Sequence, residues 1–299
     1  MRHSDGAGFQ TFNIANASNI VEVQQQVFKL DKPGPVADRQ ATPHLHEAIL
    51  DPTGNYLLAP DLGSDLVRVF HADNQTLKWT AATPLVAPAG SGPRHAAFLT
   101  TKSKTFLFLV TELSNSILSY QVTYNSNNTL SFQQVYASGT HGLNGTVPAG
   151  AAGAEAKISV RALFRFDISP PCRVSKLTCK TLASLQPDNR FLLVSSRSDG
   201  NAQIANFDAK NSTKIPSDPI LTYTINQDTG ALALLQSFPA GGRVPRQFSI
   251  NKAGTLLGVG LQGDGRAVVI NRDPATGLLK DYAAAINIAG QVTSVVFDE

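Results

Sequence analysis

The sequence predicts an all-β chain built from repeated four-stranded antiparallel units, and three observations carry that prediction. First, short segments rich in β-branched and aromatic residues recur throughout, among them Leu66–Phe70, Thr105–Val110, Phe191–Val194 and Ala267–Ile270, each bounded by Gly, Asn or Asp. Second, no long stretch shows the 3.6-residue apolar period of an amphipathic helix. Third, a turn followed by the same strand pair recurs: Asp51-Pro-Thr-Gly54, Pro187-Asp-Asn-Arg190 and Lys252-Ala-Gly254 each precede a strand, near residues 56, 191 and 256, with a matching strand near 105. A four-stranded unit of about 40–50 residues repeated in this way marks a β-propeller blade rather than a sandwich.

The units follow one another in order. The first runs from His46 through Tyr56-Leu-Leu58 and Asp65–Phe70 to Trp79, and the second from His95 through Thr105–Val110 and Ser116–Tyr120 to Phe132. The third resumes at Gln186 and ends near Leu232–Leu235; the fourth runs from Arg246 through Leu256 and Arg266–Ile270 to Leu279. Residues 8–35 read as outer strands of a fifth, and Gln291–Phe297 reads as a final strand. In each unit the turn supplies a positive φ or a local Asx bond, and the strand after it is buried on both faces by neighbouring blades. One domain, 1–299, is expected, with about five blades represented and an incomplete ring. Residues 160–184 interrupt it as an anomalous insertion of foreign composition that holds both cysteines, Cys172 and Cys179.

Composition excludes several classes. Hydrophobic residues at 42% supply a core, and charged residues at 16% fall short of the roughly 25% usual in globular chains. A net charge of +3, dispersed along the chain, does not describe a nucleic-acid binder. No apolar run reaches the roughly 18 residues of a helical span. Two thiols without neighbouring histidines make no zinc site. Five Asn-X-Ser/Thr triplets, at Asn16, Asn74, Asn127, Asn144 and Asn211, fit a secretory surface, whereas the first residues have no apolar signal-peptide core. A secreted full-length form is therefore expected, with a cytoplasmic one as the alternative.

The candidate chemistry lies at the starts of the inner strands. His44 and His46 are two apart and share a face if they lie on a strand, and His95 follows Arg94 at the corresponding start of the next blade. Arg94, Arg197 and Arg246 stand near inner-strand ends of three blades, where converging guanidiniums would bind a carboxylate or phosphate. Glu112 interrupts an apolar run, as an arginine partner or an acid–base group. The alternative for every one of them is structural: histidines bonded into inter-blade turns, arginines paired with separate blade carboxylates. Glu47 is turned away from the histidine pair by alternation, so no metal set is expected. Neither Gly-x-Ser-x-Gly nor a phosphate-cradling Gly-x-x-x-x-Gly-Lys is present, so no cofactor is expected.

Five stretches together resemble the seven-bladed β-propeller lactonases, which include bacterial 6-phosphogluconolactonases and fungal 3-carboxy-cis,cis-muconate lactonizing enzymes. They are Pro43–Gly54, Ala59–Phe70, Gly92–Phe98, Val110–Asn115 and Pro245–Ile250. The resemblance covers roughly 8–159 and 185–299, and implies a truncated fungal member of that family. It implies a catalytic set of His46, Glu112, Arg94 and Arg197, with His44, His95 and Arg246 as substrate-binding residues. The implied activity is hydrolysis of an anionic sugar or carboxylic-acid lactone, or the cycloisomerase reaction of the muconate-lactonizing type. The remaining possibility is a non-catalytic propeller that binds carbohydrate or protein. The implied partner is a small anionic lactone or carboxylic acid, with neither nucleic acid nor membrane, and a complete ring would be a monomer.

Overall fold

The computed structural model describes residues 7–73, 75, 76, 78–159, 190–200 and 202–298. The expected insertion, 160–184, and both cysteines lie outside the described residues. Four four-stranded antiparallel sheets follow one another along the chain, with no helix among the described residues. The first comprises β3 (Ile49–Leu50), β4 (Tyr56–Asp61), β5 (Leu66–Ala72) and β6 (Trp79–Val86). The second comprises β7 (Pro93–Thr100), β8 (Thr105–Thr111), β9 (Ser116–Tyr124) and β10 (Leu130–Gly139). The third comprises β11 (Ala152–Ile158), β12 (Phe191–Arg197), β15 (Pro219–Ile225) and β16 (Leu232–Pro239). The fourth comprises β17 (Pro245–Ile250), β18 (Leu256–Leu261), β19 (Arg266–Arg272) and β20 (Leu279–Asn287). Two hairpins stand apart from these sheets. One is β1 (Ala7–Asn13) with β2 (Val21–Phe28); the other is β13 (Ala202–Ala205) with β14 (Lys214–Ser217), which interrupts the third sheet between β12 and β15.

The burial pattern shows why the strands take these places. Every residue of β8 is buried, and β4, β12 and β18 are nearly so, because the second strand of each sheet is covered on both faces by its neighbours. The fourth strands, β10, β16 and β20, alternate towards solvent. Three apolar cores fill the spaces between successive sheets. The first joins Leu58 and Val69 to Leu107 and Leu118, the second joins Phe108 and Ile117 to Val194 and Tyr223, and the third joins Leu193 and Ile220 to Val259 and Ile270. Stability therefore lies between sheets rather than within them. The outer turns use the chemistry expected of them: Asp51 accepts from Thr53 N and Tyr56 N, Asn251 accepts from Thr255 N and Leu256 N, and Gly54 and Gly254 sit at φ +74° and +75°.

At the opposite end of each sheet, the hairpin after the second strand ends on a left-handed residue: Asp65, Asn115, Ser198 and Gly265 have φ between +50° and +55°. These hairpins also tie neighbouring sheets together. The Asp65 carboxylate accepts from Gly90 N and Gly92 N, and Asn115 Oδ1 accepts from Gly153 N. The buried Asp218 carboxylate accepts from Ser198, Asp199, Gly200 and Val244, binding the third sheet's hairpin to the entrance of β17.

Two expectations need correction. Residues 291–297 form no strand, since they pair with no ladder; instead Val292, Val295 and Phe297 lie over Gly258 and Gly260 of β18, where a Cβ would crowd them at 3.0–3.4 Å. The third unit begins not at Gln186 but at β11, so its innermost strand carries Glu155 and Lys157.

Candidate functional site

The chain enters the inner edge of each sheet at equivalent positions, fixed by the isolated bridge of Leu45 with Asp61 and by the pairing of Pro93 with Thr111, Ala152 with Arg197 and Pro245 with Leu261. The next residue along the chain is His46, Arg94, Gly153 and Arg246 in the four sheets, so an incomplete ring of one imidazole and two guanidiniums, open at Gly153, follows from the register. Glu112 stands at the turn that follows β8, on the same end of the sheets.

Glu112 is the centre of this ring, with its side chain 4% exposed. Arg94 Nε donates to Glu112 Oε2 at 2.8 Å, and Arg197 Nη2 lies 2.7 Å from the same oxygen. Oε1 accepts from Arg39 Nη2. Burial pushes the Glu112 carboxyl up, but Arg197, Arg39 and Arg94 together outweigh it and hold the group at about 2. Arg94 is 2% exposed, and burial together with the Arg197 charge brings it down to about 10. Both groups are thus charged at neutral pH, and Glu112 is an anchor for guanidiniums rather than a proton donor. Arg94 Nη1 is buried and has no hydrogen-bond partner among the described residues. Arg246 is half-buried and only loosely held, with Nη1 3.4 Å from Gln262 Oε1, while its charge reaches both His46 and Arg197.

His46 faces this field. Burial, reinforced by the charge of Arg94, lowers its imidazole to about 3, so it is neutral under physiological conditions. His44 is not brought to the cluster. Residues 44–46 lie ahead of β3 and are not a strand, so the expected two-residue alternation does not apply. Its ring is exposed, 3.2 Å from Thr42 Oγ1, and its backbone N–H bonds Asp61.

His95 belongs to a second cluster, one residue further along the inner strands. Its Nδ1 lies 2.8 Å from Glu155 Oε1 and 3.6 Å from Glu47 Oε1, and Lys157 Nζ bridges the same two carboxylates at 3.1 and 3.2 Å. Burial alone would lower His95, but its hydrogen bonds to Glu155 and Glu47 carry it above its ordinary value. Glu47, His95 and Glu155 offer three ligand atoms within 4.8 Å of one another, a grouping that sequence spacing could not show because three sheets supply it. The Lys157 ammonium already supplies a cation there, so the residues form a closed ion network rather than an open metal cage.

Sequence reasoning missed three participants. Glu155 and Lys157 lie in the small-residue strand Ala-Gly-Ala-Glu-Ala-Lys-Ile, where only the alternation of charge with alanine marked them. Arg39 lies on a Gly/Pro-rich connection outside every blade, with no periodicity to point to it.

The family model for lactonases of the seven-bladed β-propeller type matches residues 3–297. The chain belongs to this lactonase family. A probable 6-phosphogluconolactonase of Arthroderma benhamiae is 31% identical over 276 residues, which cover 91% of this chain and 58% of that protein. The chain thus spans little more than half the length of that lactonase relative. Solved structures of a putative 6-phosphogluconolactonase from Bacteroides fragilis and of a periplasmic gluconolactonase from Pseudomonas aeruginosa superpose with TM-scores of 0.70 and 0.69. Their identities are 21% and 22%; the alignments cover 98% and 96% of this chain and 68% and 65% of theirs, a likeness of fold.

Proposed function

We propose that the arginine-ringed end of the sheets is a lactone-hydrolysing site that holds its substrate through an anionic group. The observation that carries this reading is the charge imbalance around Glu112: Arg39, Arg94 and Arg197 gather about one carboxylate, with the Arg246 charge and a neutral histidine near them. If each arginine were only structural, separate carboxylates would hold them; here two are stacked on a single oxygen, and Arg94 Nη1 and Arg197 Nε are left buried without a hydrogen-bond partner among the described residues. An oxyanion completes such a set.

The chemistry follows from the charges. A water attacks the lactone carbonyl, and His46 takes the water's proton. Arg94 and Arg197 stabilise the tetrahedral oxyanion. Collapse breaks the bond to the ring oxygen, which leaves as an alcohol on receiving a proton back from His46, and the product is the open-chain hydroxy acid. A histidine held near 3 is a feeble base, but the field that lowers it belongs partly to the arginines. An arriving anion offsets that field and raises the basicity of His46 when substrate is in place. Glu112 positions the guanidiniums and transfers no proton. Asn16, Asn127, Asn144 and Asn211 are exposed, which favours a secreted form of the protein.

The test is proton release from δ-lactones with and without a phosphate or carboxylate. His46→Ala is expected to lower kcat about 100-fold or more, and Arg197→Gln to raise KM chiefly for the charged substrates. A cycloisomerase would instead form the lactone from an unsaturated acid and show no hydrolysis in this panel.

A further inference from the structure

Arg39 differs from the other arginines of the cluster in where it comes from and how it is held. It lies on a strap, residues 33–42, that crosses from β2 towards the first four-stranded sheet. The strap is pinned through its neighbour Gln40, which is fully buried. Gln40 Oε1 accepts from Val36 N at 3.0 Å, its Nε2 donates to Leu62 O at 2.9 Å, and its backbone carbonyl accepts from Gly34 N at 3.0 Å. A Cβ at Gly34 would stand 2.7–2.9 Å from the Gln40 side chain, so the strap closes tightly around this residue. The backbone at residue 39 is thereby fixed while the side chain reaches across to Glu112, in the next sheet.

That side chain is 48% exposed, against 2% for Arg94 and 14% for Arg197. Solvent weakens an ion pair whose cation is half exposed, and Glu112 Oε2 remains held by the other two arginines when Oε1 is released. Arg39 is therefore the guanidinium of the three on Glu112 that can leave it most readily, and it stands on the solvent side of the cluster.

We propose that Arg39 is a specificity-determining residue: it rests on Glu112 in the free protein and transfers to the oxyanion group of the incoming substrate, with Gln40 positioning it. This deepens the lactone reading given above and rests on it for the identity of the substrate, but not for the binding of the anion.

The experiment compares the full chain with its Arg39→Gln and Arg39→Lys variants. Calorimetric titration uses inorganic phosphate and, separately, malonate, to distinguish a phosphate from a carboxylate group. Kinetics use one δ-lactone ring with and without a phosphate. Arg39→Gln is expected to weaken binding of the preferred anion at least 10-fold and to raise KM for the charged lactone by a similar factor. The loss in kcat/KM should be at least 5-fold greater on the charged lactone than on the uncharged one; Arg39→Lys should recover part of the affinity. Gln40→Ala should reproduce the KM effect with Arg39 still present. Anion affinity that is absent in the wild type, or equal in wild type and Arg39→Gln, overturns the proposal, as does an equal loss on charged and uncharged lactones. If the wild type hydrolyses neither lactone yet binds an anion through Arg39, the lactonase reading fails and the role of Arg39 stands.

Discussion

Replacing Glu112 with Gln removes the one negative charge that three arginines share, and the structure sets the size of the effect. The carboxyl lies at about 2 against an ordinary 4.5. At about 1.4 kcal/mol per unit, its ionisation favours the folded chain by ~3 kcal/mol. Truncating one member of a buried ion pair costs about 3–5 kcal/mol, because the charges left behind stay desolvated, and Arg94 with its 2% exposure is such a charge. The sign with pH follows from the depressed value: the contribution is whole above about 4.5 and is lost as pH falls towards 2. Urea unfolding of wild type and Glu112→Gln, stepped from pH 7 to pH 2, should therefore show a gap of ~3–5 kcal/mol at pH 7 that closes on acidification. Because Glu112 favours the charged form of His46, both proteins carry His46→Asn in this comparison, so that only the carboxyl titrates. A gap below about 1 kcal/mol at pH 7, of the size expected for a surface pair, or one that stays constant down to pH 2, refutes the reasoning.

Three further outcomes are expected. His46 has a folded-state value of about 3, below its ordinary 6.5, so the unfolded chain takes up a proton first and stability falls as pH drops from 6.5 towards 3; His46→Asn should flatten that slope, and the His46 imidazole should show no NMR titration above pH 5. Lys157→Ala should empty the cation position between Glu47 and Glu155 and make Tm respond to added Mn²⁺ or Zn²⁺, whereas the wild-type Tm should not respond; equal responses would show that the ammonium does not fill that position. Asp218→Ala should cost about 3 kcal/mol or more in urea unfolding, since four backbone N–H groups around a buried carboxylate lose their acceptor; a loss under about 1 kcal/mol would mean that the hairpin rearranges to satisfy them.

The strands were legible in the sequence where burial on both faces leaves a run of apolar residues, as in Phe106–Val110, and where an Asx turn announces the next strand, as at Asp51 and Asn251. Gln291–Phe297 has the same alternation but no partner edge, and pairing is what makes a strand. Arg94 and Arg197 were readable as arginines near inner-strand ends and Glu112 as a charge interrupting an apolar run, whereas the set with His46 came from the family resemblance; the structure brings Arg94, Glu112 and Arg197 into contact despite the 85 positions that separate Glu112 from Arg197. Arg39 was not readable: it sits on a strap with no period, and its contact with Glu112 spans 73 positions. The grouping of Glu47, His95, Glu155 and Lys157 was equally hidden, because it depends on which residues of three different sheets fall at one height.

The most direct measurement is proton release by the purified chain on a phosphorylated δ-lactone, run beside His46→Ala and Glu112→Gln. Turnover by the wild type is expected to fall at least 100-fold in His46→Ala, and KM to rise at least 10-fold in Glu112→Gln as the guanidiniums lose their common anchor. Turnover that survives both substitutions unchanged would place the chemistry elsewhere and contradict the site described above.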